Sequence, residues 1–390
     1  MELFLFEKSW FFMDTLFRLF GIYPCQRIGE SGLKPTSTCR FWTRYVFTAT
    51  INILIVGTPI AYASWQETNF DIFIQAFLEE FAVTLYDKIA MIAVSVVPLI
   101  LHTVCIMNIG TYKERMCRLQ QYVNENANKT GYICNVSTWK FLKHVATYSS
   151  LMISAGLFTY IGWFYSIKGK INLSWIITHV MIFSHLVHSF FAFMPLFYFT
   201  MVYFEVTINL VDYCDTITRK SSSLLVEETK VFSFILKEFS SMVSPFIFNI
   251  FSTNFVFLLV ISFFVYTESL SSLTGIEEMV WYAYFPLIGM ALNVGYVITL
   301  SYSYCTLSED LANKVQRLKI AVLRKGNHQT DDIIQELDEF KGFDANGYFT
   351  LNHSLLTAMT TNFATFLVIL VQFKQSETSV KSPSQGVLNL

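Results

Sequence analysis

GYFTLNHSLLTAMTTNFATFLVILVQF, residues 347–373, decides the fold. It contains no Asp, Glu, Lys or Arg, and it exceeds the roughly 20 residues that a helix rising about 1.5 Å per residue needs to cross a bilayer. Its polar residues are ordered. Thr350, Ser354, Thr357, Thr361, Thr365 and Gln372, with Val368 filling the one gap, step by 4, 3, 4, 4, 3 and 4, close to the helical period. One face of this helix is therefore a ladder of hydroxyls ending in an amide. An unsatisfied polar group facing lipid costs on the order of 1 kcal/mol or more, so the ladder must meet neighbouring helices or water. Tight packing is one solution, since Ser and Thr bond back to their own helix carbonyls and let membrane helices approach closely. The other is a water-filled pore to which each of several subunits contributes one copy of the helix. Val368 interrupts the ladder and Phe373 closes the run, so a pore would narrow at Val368, Gln372 and Phe373.

The rest of the chain is equally apolar. Of its 390 residues 53% are hydrophobic, 17% aromatic and only 14% charged, against about 25% charge in soluble domains; the chain reads as an integral membrane protein. Residues 1–20 are aromatic but interrupted by Glu7, Lys8, Asp14 and Arg18. They suit an amphipathic interfacial helix better than a cleaved signal.

Seven hydrophobic spans can be drawn, at residues 41–65, 74–108, 141–166, 175–204, 244–266, 279–304 and 347–373. Lys and Arg alternate between the connections: six before residue 45, none, six, two, four, none, six, and two in the tail. The positive-inside rule then puts the N-terminus in the cytoplasm and the C-terminus outside, the inverse of a G-protein-coupled receptor. Under this topology Cys25, Cys39, Cys105, Cys117, Cys134, Cys214 and Cys305 all lie at the cytoplasmic face, where reduced thiols are expected. The sequons at Asn128 and Asn135 would face the cytoplasm and that at Asn172 outward, so a glycan on either of the first two would contradict the topology.

The expected domain order is a cytoplasmic N-terminal segment (1–40), four spans (41–204), a cytoplasmic helical extension (205–243), two spans (244–304), cytoplasmic helices (305–346), the last span (347–373) and an extracellular tail (374–390). Residues 307–340 read as two amphipathic helices broken near Gly326 and Asn327. Leu311, Val315, Leu318 and Val322, then Ile333, Ile334 and Leu337, recur at helical spacing. They suit either a local core or an oligomerisation surface. The KGFDANG run at 341–347 is a turn leading into the last span.

Within the spans, Glu80, Thr84 and Asp87 share one face of the second helix. Ionisable groups at this depth face a bundle interior or a cavity; a structural ion pair and an outward-facing ligand pocket both satisfy that. His179, His185 and His188 lie in the fourth span beside Trp175, without the carboxylate or Cys partners a metal site would use, and suit core or pocket lining. Trp163, Trp175, Tyr266, Trp281 and Tyr282 cluster at outer helix ends, as interfacial aromatics do. A subset could form a cage for a sugar or an alkaloid. No phosphate-cradling Gly-rich loop, GxSxG elbow or HExxH motif occurs, so neither catalysis nor a cofactor is expected, and nothing points to nucleic acid.

The ending Thr365–Phe373, TFLVILVQF, resembles the TYhhhhhQF signature (h, hydrophobic) that closes the last span of insect gustatory receptors, matching at eight of nine positions; Phe366 replaces the Tyr. The resemblance implies an all-α membrane protein of seven transmembrane helices with a cytoplasmic helical anchor domain and a central tetrameric pore. It also implies a plasma-membrane, ligand-gated non-selective cation channel of sensory neurons. A small-molecule tastant would bind Glu80, Thr84, Asp87, Trp163, Trp175, His179, Tyr266, Trp281 and Tyr282 among the first six helices, and lipid would surround the bundle. Thr350, Ser354, Thr357, Thr361 and Thr365 would line the path of monovalent and calcium cations, through a homotetramer or a heteromer with related receptors. Leu367 follows Phe366 where sugar-type members have Glu, a departure that leaves bitter compounds, fructose-like ligands or another stimulus open. An odorant receptor subunit and a seven-helix small-solute transporter are the alternatives.

Overall fold

The computed structural model describes residues 199–274, 284–325 and 331–381, a hairpin at Cys25–Ile28 and Gly32–Pro35, and separate positions between residues 37 and 154. Apart from those positions, the first three spans, most of the fourth, the start of the sixth, the interfacial helix of residues 1–20, the sequons and residues 382–390 lie outside the described residues. Strands β1 (Cys25–Ile28) and β2 (Gly32–Pro35) pair antiparallel, with Cys25 opposite Pro35 and Ile28 opposite Gly32. With this pair of four-residue strands the class remains all-α. The turn signal is the Gly29-Glu30-Ser31-Gly32 run between two short extended segments, and Pro35 sits at the strand end where its missing N–H does least harm.

Among the described residues from 199 onward there are five helices, and the separate positions between residues 42 and 154 are helical as well. Helix α1 (199–218) ends where the Arg219 and Lys220 amides bond back to Thr216 and Ile217, after which Ser221 accepts from the Leu225 amide and starts α2 (Ser222–Thr274). At 53 residues α2 is about 80 Å long, far more than a hydrocarbon core of about 30 Å can contain. Helix α3 (Tyr284–Lys325) has 42 residues and likewise outruns a bilayer. Both join an expected span to an expected cytoplasmic segment without interruption. Helix α4 (Asp331–Glu339) opens on Asp331 and Asp332, whose charges suit a helix N-terminus, and α5 (His353–Lys381) is the final helix.

The core lies where α1, the first half of α2 and the second half of α3 meet α4. Leu311, Val315, Leu318 and Val322 are buried against Phe232, Phe239, Ile333 and Leu337 in one cluster, so this apolar stripe serves the subunit's own interior. The face α3 leaves exposed carries Asp310, Asn313, Arg317, Ile320, Leu323 and Arg324. Ion pairs close the edges: Lys314 reaches both oxygens of Asp215, Glu336 takes hydrogen bonds from Ser233 (2.7 Å) and Lys237 (3.2 Å), Lys319 pairs with Asp338, and Lys220 with Glu228. Cys214 and Cys305 are buried free thiols. Cys117, expected to be reduced, is disulfide-bonded.

Candidate pore helix and its base

Helix α5 stands on a folded linker. Phe343 is buried among Tyr203, Phe239 and Phe340, with ring centroids 5.3–5.5 Å away at steep angles. Its amide donates to Ser308 Oγ of α3 at 2.9 Å. Asp344 and Thr350 form an isolated antiparallel bridge, flanked by the Leu351 N to Phe343 O and Ala345 N to Phe349 O hydrogen bonds, both 2.8 Å. Ser244 of α2 reaches in from the side: its hydroxyl donates to Asp344 Oδ1 and accepts the Asn346 amide at 2.7 Å. The chain turns here through Gly342, Asn346 and Gly347, all at positive φ. A Cβ on Gly342 would lie 3.0 Å from Ser308 Oγ and 3.2 Å from Thr350 Cγ2.

The helix begins later than the apolar run does. Asn352 is its cap, its Oδ1 accepting from the Leu355 amide (2.9 Å) and the Ser354 hydroxyl (2.6 Å). Glu309 of α3 supplies a second acceptor, taking the His353 amide at 3.2 Å. Thr350, read from sequence as the first rung of the ladder, is placed in the bridge before the helix. Ser354, Thr357, Thr361, Thr365, Val368, Gln372 and Phe373 are all in α5.

No residue of His353–Phe373 is buried in the subunit, although this segment and Leu224–Val256 are both long and apolar enough to cross a membrane. The two faces of α5 differ. Leu355, Met359, Phe363, Leu367 and Leu370 are half-buried and mark the side turned to the subunit, whereas Ser354, Thr357, Thr361, Thr365, Val368, Gln372 and Phe373 are exposed. The hydroxyl ladder thus points away from its own chain. Thr357, Thr361 and Thr365 donate to the carbonyls of His353, Thr357 and Thr361 at 3.0–3.3 Å. Their protons are used within the helix, so the outward face of each hydroxyl offers oxygen lone pairs. Over Thr357, Thr361 and Thr365 such a surface offers acceptors suited to cations and no hydroxyl donors to anions. Phe366, at the position of the motif Tyr, meets the Phe255 ring of α2 edge-on at 6.2 Å; a tyrosine hydroxyl is not needed for that contact. Val368 and Phe373 are about half exposed and form the apolar break in the outer part of the ladder.

Of the residues expected to bind ligand, Glu80, Thr84, Asp87, Trp163, Trp175, His179, Trp281 and Tyr282 lie outside the described residues. Tyr266 is helical within α2. Ser244, Glu309 and His353 were not among the site residues read from sequence. Asn352 preceding a hydroxyl-rich apolar run is a cap signal that sequence carries, but the approach of Ser244 and Glu309 from sites 102 and 44 residues away is a tertiary fact.

No curated protein matches the chain in sequence. In fold it is similar to the olfactory receptor OR5 of the insect Machilis hrabei in complex with eugenol. That likeness has a TM-score of 0.58 at 15% identity and covers 93% of this chain and 97% of that one. It is also similar to the same receptor described without that ligand, at TM-score 0.54 and 13% identity over 94% and 100% of the two chains. The family model for 7tm chemosensory receptors matches residues 12–377, nearly the whole chain. The chain belongs to the 7tm chemosensory receptor family, the insect odorant and gustatory receptors, whose members are multi-pass, ligand-gated membrane channels and not enzymes.

Proposed function

We propose that this chain is a gustatory receptor subunit, a tetrameric non-selective cation channel of the sensory-neuron plasma membrane opened by an extracellular small-molecule tastant. The observation that carries the channel reading is the outward-facing ladder of α5: Ser354, Thr357, Thr361 and Thr365 are exposed on the subunit while the opposite face packs inward. A polar stripe turned away from its own chain needs water or like surfaces from other copies, and a central pore supplies both. Cations pass along hydroxyl lone pairs, with no Asp, Glu, Lys or Arg between Ser354 and Phe373 to discriminate among monovalent ions. Val368, Gln372 and Phe373 form the outer constriction, which dewets when closed. Ligand shifts the balance toward the open state through its higher affinity for that state. The face of Asp310, Asn313, Arg317 and Ile320 is where neighbouring subunits meet below the membrane. The TFLVILVQF ending favours gustatory over odorant, and the likeness to an olfactory receptor keeps the odorant reading as the second one.

Whole-cell recording tests the channel without a ligand. Val368→Gly or Phe373→Ala at the cell surface should produce a standing leak carried by sodium and potassium alike. Silence from surface-expressed tetramers of both variants would contradict the pore assignment. A panel of bitter compounds, sugars and volatile odorants applied to the parent then separates taste from smell, and lowest thresholds for volatiles would overturn the gustatory reading.

A further inference from the structure

Two ionisable side chains meet where α5 begins. Glu309 Oε2 accepts the His353 amide hydrogen at 3.2 Å and lies 3.6 Å from His353 Nε2; the two side chains are 42% and 47% exposed. The Tyr302 ring of α3 lies 5.6 Å from the imidazole. Asp310 follows Glu309 in the same helix. From α5 itself Asn352 and Ser354 are adjacent, and they bond to each other. In the linker, the Asp344 carboxylate is engaged with Ser244 of α2.

A helix N-terminus carries roughly half a positive charge. In the channel arrangement proposed above, every subunit points such an end at the inner mouth, a field that opposes cations leaving the cytoplasm. A carboxylate hydrogen-bonded to that end reverses its sign. A protonated imidazole beside the carboxylate cancels it again, and histidine is the side chain that changes charge between about pH 5 and 8.

We propose that Glu309 makes the inner mouth of the pore attractive to cations, and that His353 switches this attraction off when protonated. The inference rests on the reading of α5 as the pore helix. Glu309 acts through the field it sets at the mouth, and the tetramer multiplies the effect by presenting four such pairs around one axis. Current from cytoplasm to exterior therefore falls as the cytoplasm acidifies, while current in the other direction is less affected.

Inside-out patches carrying the full chain with Val368→Gly, in sodium chloride on both sides, test this without a ligand. Adding Glu309→Gln should lower the outward current relative to the inward current by about two- to fivefold, the range expected for one charge at a helix end. Moving the cytoplasmic solution from about pH 7.5 to about pH 5.5 should produce a drop of similar size, and His353→Gln should abolish it. Unchanged rectification in Glu309→Gln overturns the role of Glu309, and an acid response that survives in His353→Gln overturns the switch. If Glu309→Gln reaches the surface but is silent, the His353→Gln acid response decides alone. A conducting Val368→Gly background with neither effect overturns this inference and leaves the channel standing, whereas a silent background removes both.

Discussion

Gly342 shows how much one missing methyl can matter. Its φ of 124° lies where side chains are rarely tolerated, and a Cβ there would press on Ser308 and Thr350. Gly342→Ala should destabilise the receptor by about 1–3 kcal/mol, seen as a lower apparent Tm in detergent. Gly295 of α3 is the control: nothing lies within 4 Å of its added Cβ, so Gly295→Ala should be neutral or stabilising by about 0.5–1 kcal/mol. An equal loss in both would refute the steric account. Cys214 is the second test at this scale. Burial, aided by the Asp215 and Asp310 charges and opposed by Lys314, pushes its thiol up to about 12. Since the thiolate is the nucleophile, Cys214 should resist alkylation near neutral pH in the folded receptor and react once unfolded, as site-resolved mass spectrometry would report. In the sequence KGFDANG reads plainly as a turn; that Gly342 and not Gly347 is sterically locked depends on Ser308, which arrives from another helix.

Elements are legible in type and less so in their limits. Hydropathy places a span at 244–266, yet the membrane-length stretch of α2 runs from Leu224 to Val256 and more than half of it is buried in the subunit. Leu225, Phe232, Ile235, Leu236 and Phe239 are apolar because they form the core beside α3 and α4, and composition does not distinguish a helix facing protein from one facing lipid. The expected break at Gly326 and Asn327 lies outside the described residues, between the last described residue of α3, Lys325, and the first of α4, Asp331. Helix α4 is held to α2 by Glu336, whose carboxyl is drawn below the usual range first by the Ser233 hydroxyl and then by Lys237, against partial burial. Because its folded value is depressed, this stabilisation is present above the ordinary glutamate range near pH 4.3 and is lost as pH falls through the folded value. The pair is partly exposed, so the effect is about 0.5 kcal/mol. The drop in apparent Tm on going into acid should be smaller in Glu336→Gln than in the parent, and an unchanged acid profile would count against the clasp.

At the scale of the molecule the last span carries most of what the sequence reveals. The steps from Ser354 through Thr357, Thr361 and Thr365 to Gln372 define one face by periodicity alone, and that face is exposed on the subunit. What the steps do not reveal is direction, because periodicity fixes which residues share a face and leaves open whether it turns toward its own bundle or away. The hairpin at Cys25–Ile28 escapes a sequence reading because four-residue strands have too little periodicity to register, and the base of α5 does so because Ser244, Ser308 and Glu309 come together only in the fold. The central claim is that the ladder of α5 faces water in the assembled channel. Cysteines placed singly along α5 in the Val368→Gly channel, probed with a charged water-soluble thiol reagent during current recording, test it directly. Reagent should block current through Thr357→Cys, Thr361→Cys and Thr365→Cys and leave Met359→Cys, Phe363→Cys and Leu367→Cys conducting. Block on the second face with none on the first would contradict the account.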